Sequence, residues 1–126
     1  MSLTLPTGTR NAALNAIVDL IDIGAGTAYL KIMNAGGTEL VKCAYANPAF
    51  GDSIIGVATA NAIVDGTVTQ ADTAAQASII DRNAADVITG LTVGTSLSNV
   101  NLTSLGLAVG DKVSVTNYQT ITQPAS

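Results

Sequence analysis

Few residues in this chain are of types that do chemistry, and only some are spaced to act together. Asp81, Asn83 and Asp86 put three oxygen-bearing side chains into one short segment, hard donors of the kind calcium accepts. The triple lacks the ordered acid spacing and the closing bidentate Glu of a calcium loop. Asp and Asn are also ordinary turn formers, and a turn is expected at 82–85. Gly24 and Gly26 flank a single residue in the manner of a phosphate loop. Such a loop follows a strand, opens a helix and carries a Lys; here a helical pattern comes first and a strand pattern second. Cys43 is the single thiol, so no internal disulfide can form. It reads as a small buried hydrophobe rather than a nucleophile, in a protein made in a reducing cytoplasm.

Acid–base and nucleophilic catalysis fare no better. The chain has no His, so no Ser-His-Asp or Cys-His arrangement can be assembled within it. Nine acidic residues leave a carboxylate pair conceivable, but they fall at turns and on the polar face of the helical segment. Zinc would need His or Cys clusters. The expectation is no enzyme, no catalytic residue, no cofactor and no metal.

Five basic residues, Arg10, Lys31, Lys42, Arg82 and Lys112, are isolated along a chain of net charge −4. Nucleic-acid binding needs clustered cations against phosphates, so no nucleic-acid partner is expected, and no polybasic membrane contact either. The opening MSLTLPTGTR has no basic segment leading into an apolar one, so it does not read as a signal peptide. The uncharged run Val87–Gly110 is interrupted by Thr, Ser, Asn and four Gly, which argues against a spanning helix. Aromatic girdles of a membrane barrel are missing. The acceptor pattern Asn101-Leu102-Thr103 lacks a secretory context.

What remains is a chain built to pack. Apolar residues make up 48% of its 126 residues and charged ones 11%, with three Tyr, one Phe and no Trp. A chain of this length fits one domain with a real core, made here from small aliphatics. A low-charge surface of Thr, Ser, Asn, Ala and Val suits contact between copies, as a dimer or trimer. Residues 1–8 read as an N-terminal arm, with Thr7 or Thr9 able to cap a following helix. Over 9–23, Leu14, Ile17, Val18 and Ile21 recur at helical spacing, with Asn11, Asn15, Asp19 and Asp22 on the other face. Gly24-Ala25-Gly26 ends that helix.

Residues 27–124 read as strands. Thr27–Asn34 alternates Ala28, Leu30 and Ile32 against Tyr29, Lys31 and Met33. Gly36-Gly37 turns the chain into Thr38–Ala46, and Asn47-Pro48 ends that strand. Further strands are expected near Ser53–Ala60, Ala62–Thr69, Ala74–Asp81, Asp86–Val93 and Val100–Thr103. Lys112–Thr122 has the clearest period-two pattern. One helix followed by many short strands predicts a mainly β fold: an antiparallel β-sandwich or jelly-roll-like domain preceded by an arm and one amphipathic helix.

Several segments resemble a known group. Thr9-Arg10-Asn11-Ala12-Ala13-Leu14-Asn15-Ala16-Ile17 is similar to the opening of small proteins encoded in tailed-bacteriophage structural gene clusters. Gly56–Ile63 and Gly90–Ser96 are similar to that group's middle and late segments, and Lys112–Thr116 up to Pro124 to its closing strand. The resemblance implies a virion structural protein like the capsid cement or decoration proteins, which sit over junctions of the major capsid protein and stabilise the head. The partners implied are the major capsid protein and other copies of this chain; the location implied is the capsid surface, after synthesis in the host cytoplasm. Leu3, Leu5 and Pro6 in the arm are the expected partner contacts. A tail or neck component is the first alternative. A carbohydrate-binding host-attachment module, stacking sugars on Tyr29 or Tyr45, is the second.

Overall fold

The computed structural model describes residues 4–115 and 120–122. Helix α1 runs from Thr7 to Ile21, two residues earlier at each end than the sequence pattern places it. Pro6 occupies the N-cap position with φ −58° and no side-chain cap. Proline's fixed φ and missing N–H suit the start of a helix, so neither Thr7 nor Thr9 is needed as a cap. Residues 7 and 8, expected in the arm, lie instead in the first turn of α1, and residues 1–3 lie outside the described residues. Leu14, Val18 and Ile21 are buried, as their spacing requires. Gly24, beyond the C-cap Asp22, takes φ 111°.

The strands are β1 (Tyr29–Met33), β2 (Glu39–Ala44), β3 (Val57–Thr59), β4 (Gly66–Thr67), β5 (Asp72–Thr73), β6 (Gln76–Ile80), β7 (Asp86–Gly94), β8 (Val100–Asn101), β9 (Gly106–Leu107), β10 (Lys112–Val113) and β11 (Thr120–Thr122). One sheet has the order β2-β1-β6-β7-β8, and three two-stranded ribbons pair β4 with β10, β3 with β11 and β5 with β9. The domain is mainly β, an antiparallel-rich, β-sandwich-like fold with an N-terminal helix.

The alternation in β1 sets the inside and outside of the sheet. Leu30 and Ile32 are fully buried and share a core with Cys43, Val41 and Ile79 of the flanking strands. Leu14, Val18 and Ile21 of α1 join the same core from above, with Ala58, Val68 and Val113 from the ribbons and their flanks. The second layer is thus α1 plus the ribbons. Each buried aliphatic side chain contributes about 1.5–3 kcal/mol, which is how a core with few aromatics holds. Among the described aromatics, Tyr45 and Phe50 are buried and meet at 5.6 Å between ring centroids.

Two strand expectations are corrected. Lys112–Thr122 is not one strand: β10 pairs with β4 and β11 with β3, so its two ends serve different ribbons. Ser53–Ala60 is not continuous either, because a reversal at 54–57 leaves only Val57–Thr59 as strand. The pairing also departs once from antiparallel: β8 lies parallel to β7, Val93 facing Val100. Parallel neighbours ordinarily need a long crossover. Here the short 95–99 loop suffices because β8 has only two residues and Asn99 braces the loop, its Oδ1 accepting the Thr92 N–H at 3.0 Å.

Gly66 shows how tightly the ribbons sit on the sheet. A Cβ there would collide with the Lys42 carbonyl and the Val41 side chain, so only glycine lets β4 lie against β2. The Asn47–Pro48 peptide bond is cis.

Candidate functional site

Of the three residues expected to contact a partner, Leu3 lies outside the described residues. Leu5 is half-buried and Pro6 exposed. Both are tied to the helix start by Arg10: its Nε donates to the Leu5 carbonyl at 3.1 Å and its backbone N–H to the Pro6 carbonyl at 3.0 Å. Arg10 also donates to the Thr7 hydroxyl at 3.0 Å. Leu5 and Pro6 are thus a fixed lead into α1, and Pro6 presents its ring beside the helix N-terminus.

Sequence reasoning missed the bulky apolar side chains held outward at turn tips. Ile54 and Ile55 are 70% and 66% exposed. They lie in a tight reversal with Ile55 and Gly56 at its centre, flanked by Ile54 and Val57, which exchange backbone hydrogen bonds of 2.8 and 3.0 Å. Ile55 has φ 51° and Gly56 φ 72°, the signature of a type I′ turn, whose first central position favours Asn, Asp or Gly. A β-branched residue there is a genuine outlier. Leu97 is the second case: it is fully exposed at the tip of the 95–99 loop with φ 56°. Left-handed backbone costs a non-glycine residue about 1–2 kcal/mol, and water gives nothing back for an exposed Ile or Leu.

The 54–57 turn is anchored from below. Asn15 Oδ1 accepts the Ser53 N–H at 2.9 Å and the Asn11 carbonyl accepts the Ser53 hydroxyl at 2.9 Å. Asn11 Oδ1 accepts the Gly56 N–H at 2.8 Å. At the C-cap of α1, Asp22 accepts the Ala49 N–H at 3.0 Å and pairs with Arg82 at 3.4 Å. Asn11, Asn15 and Asp22, which share the helix's polar face in the sequence, are therefore its attachment points to the 47–56 segment. One sequence signal for the tip existed: Ile54-Ile55-Gly56 breaks strand alternation with two adjacent bulky residues before a glycine.

The residues singled out for chemistry have structural roles here. Asp81 Oδ1 accepts the N–H groups of Asn83 and Ala85, both at 2.9 Å, closing the β6–β7 turn. Gly26 and Gly24 lie against Arg82 and Asn83. Cys43 is fully buried, and burial, with Asp65 adding to it, pushes its thiol up despite a backbone hydrogen bond from Gly66. Tyr45 is buried at 5% exposure, so it cannot face outward as the sugar-stacking alternative requires. Tyr29 is half-buried, with the Lys42 ammonium 4.8 Å from its ring centre. Among the described residues no three His, Cys, Asp or Glu side chains converge as a metal site would, and no helix is long and apolar enough to cross a membrane.

Clefts open to the surface among the described residues. One of about 230 Å³ is bordered by Leu102, Ser104, Asp111 and Lys112, and one of about 260 Å³ by Asn34, Asp72 and Thr73. Both fall below the roughly 300–1,000 Å³ of ordinary ligand pockets. A carboxylate at each is already engaged: Asp111 accepts the Ala108 N–H at 3.0 Å, and Asp72 accepts from the Asn34 side chain at 2.9 Å. No protein-family profile, curated protein or solved structure matches this chain.

Proposed function

We propose that this protein is a non-enzymatic structural component of a tailed-phage virion, and that it acts as a cement or decoration protein bound across junctions of the major capsid protein. The carrying observation is the pair of strained apolar tips. Ile55 and Leu97 hold left-handed backbone while exposing large hydrophobic side chains, and three hydrogen bonds from α1 fix the first of them in place. Strain of this kind persists where the surrounding fold over-determines it and a function uses it. A rigid apolar knob suits docking into a partner's pocket, because little order has to be gained on binding. The resemblance of Thr9–Ile17, Gly56–Ile63 and Gly90–Ser96 to phage structural proteins supplies the virion context, and Gly56 itself belongs to the tip.

Attachment then takes the form of several small apolar contacts per copy, joined by Pro6 at the helix start and multiplied by association of this chain with itself. A total of about 1,000 Å² or more would hold each copy stably. The test is the copy number in purified particles, measured by quantitative mass spectrometry. Copies in the hundreds are expected of a shell component. A handful would move the protein to the tail or neck, and absence from particles would refute the virion role. Capsids decorated with Ile54→Ser/Ile55→Asn protein should show reduced occupancy; unchanged occupancy would remove the tip from the interface.

A further inference from the structure

The outer face of the five-stranded sheet carries a charge arrangement that the fold itself does not explain. Lys31 of β1 stands directly opposite Lys42 of β2. Like charges facing each other across two strands are destabilising. Tyr29 shares this face, and the Lys42 ammonium sits 4.8 Å above its ring. The remaining cations are all engaged: Arg10 with Leu5 and Thr7, Arg82 with Asp22, and Lys112 with the Thr67 hydroxyl at 2.6 Å. Among the described residues, Asp22–Arg82 is the one ion pair. A chain with nine acidic and five basic residues thus places its two cations that lack an ion pair or hydrogen bond side by side, with no carboxylate against either.

We propose that this face, centred on Lys31 and Lys42, docks a carboxylate-bearing segment of a partner protein. Two ammonium groups across neighbouring strands match a pair of acidic side chains on a partner, and the exposed part of Tyr29 gives an apolar floor beside them. A second copy seated symmetrically on the same face would bring four ammonium groups together, which disfavours self-association there. A long polyanion is disfavoured too: Glu39 pairs with Met33 and Asp86 with Ile80, so acids border the patch, and the whole chain is negative. A short acidic segment satisfies the lysines without meeting that border. The proposal stands apart from the virion reading, since it names a surface and its chemistry wherever the protein resides.

The experiment is an NMR titration of the intact protein with octaglutamate, at low and at high salt. Saturable shifts are expected at Tyr29, Lys31 and Lys42, fading at high salt as screened ion pairs do. The Lys31→Gln/Lys42→Gln variant should fold with undiminished stability, because a repulsive pair is removed, and should bind the peptide about tenfold more weakly. A decathymidylate arm distinguishes the polyanion: binding stronger than that of octaglutamate at these residues would overturn the choice of an acidic protein. No shifts on this face, or equal affinity in the double variant, would overturn the proposal outright.

Discussion

Asn11 and Gly56 are joined side chain to backbone, 45 positions apart in the chain. Asn11 Oδ1 accepts the Gly56 N–H at 2.8 Å, which fixes the one strained reversal of the 47–60 segment to the first turns of α1. The bond couples two things the fold needs separately: the helix is held over the sheet, and Ile54 and Ile55 are held outward. Replacing Asn11 with Ala should lower stability by about 1–2 kcal/mol, the usual loss for a half-buried hydrogen bond left without its acceptor. Urea unfolding would measure it. Hydrogen exchange at the Gly56 amide should accelerate more than exchange in β1, because the turn opens before the sheet does; equal acceleration at both would mean that the anchor is part of the global fold rather than of the tip.

Ile55 should be replaceable with a gain in stability. At φ 51° an Asn fits the first central position of a type I′ turn better than a β-branched side chain. Ile55→Asn is expected to stabilise the domain by up to about 1 kcal/mol, of the order of the left-handed penalty removed, with a matching rise in thermal midpoint. The same protein should attach less well to particles. A variant that is more stable and less adhesive would separate the fold's interest from the function's; one that is less stable would show that Ile55 packs on its surroundings in a way its exposure does not suggest.

What could be read from the sequence was periodicity. Leu14, Val18 and Ile21 announce the buried stripe of α1, and the alternation about Leu30 and Ile32 announces β1 together with its inner face. Gly36-Gly37 announces the hairpin, where the Gly37 N–H reaches the Asn34 carbonyl at 3.1 Å. Two-residue strands carry no period, so β4, β5, β8 and β9 leave no such mark; their pairing is decided by the core they close over. The Lys112–Thr122 alternation misled for the same reason, since a pattern of two cannot say that its ends pair with different partners. The tip was hidden because a left-handed isoleucine runs against local preference, and local rules fail where strain is held for use. The lysine face was hidden because Lys31 and Lys42 are eleven positions apart and become neighbours only through the β1–β2 register.

Asp72 offers a check on how β5 meets the turn after β1. Its carboxylate accepts from the Asn34 side chain at 2.9 Å and from the Thr73 N–H at 2.8 Å, and these bonds hold its pKa below the ordinary 3.8. A folded-state pKa lowered in this way contributes stability above the unfolded value, and the contribution fades as pH falls through the lowered one. Carboxyl NMR should place the folded midpoint below 3.8. The stability difference between the protein and Asp72→Ala should be present at neutral pH and shrink in acid. A difference that grows in acid would reverse the assignment.

Cys43 can report on how the ribbons cover the sheet. Its sulfur lies 3.7 Å from the Val113 carbonyl of β10, and burial keeps it protonated, so a disulfide reagent that needs the thiolate should not react until β10 and β4 lift. That lifting is governed by Gly66, whose missing Cβ lets β4 rest on the Lys42 carbonyl. Gly66→Ala should therefore raise the rate of Cys43 modification, while Gly36→Ala, where a Cβ meets only ordinary contact with Asn34, should not. Overpacking of this kind costs about 1–3 kcal/mol, which corresponds to roughly five- to 150-fold faster labelling if opening limits access. Were the Gly66 variant to label at the original rate, the ribbon would have to move with β2 as one body, and the close approach at Gly66 would be accommodated by the whole sheet rather than by local separation.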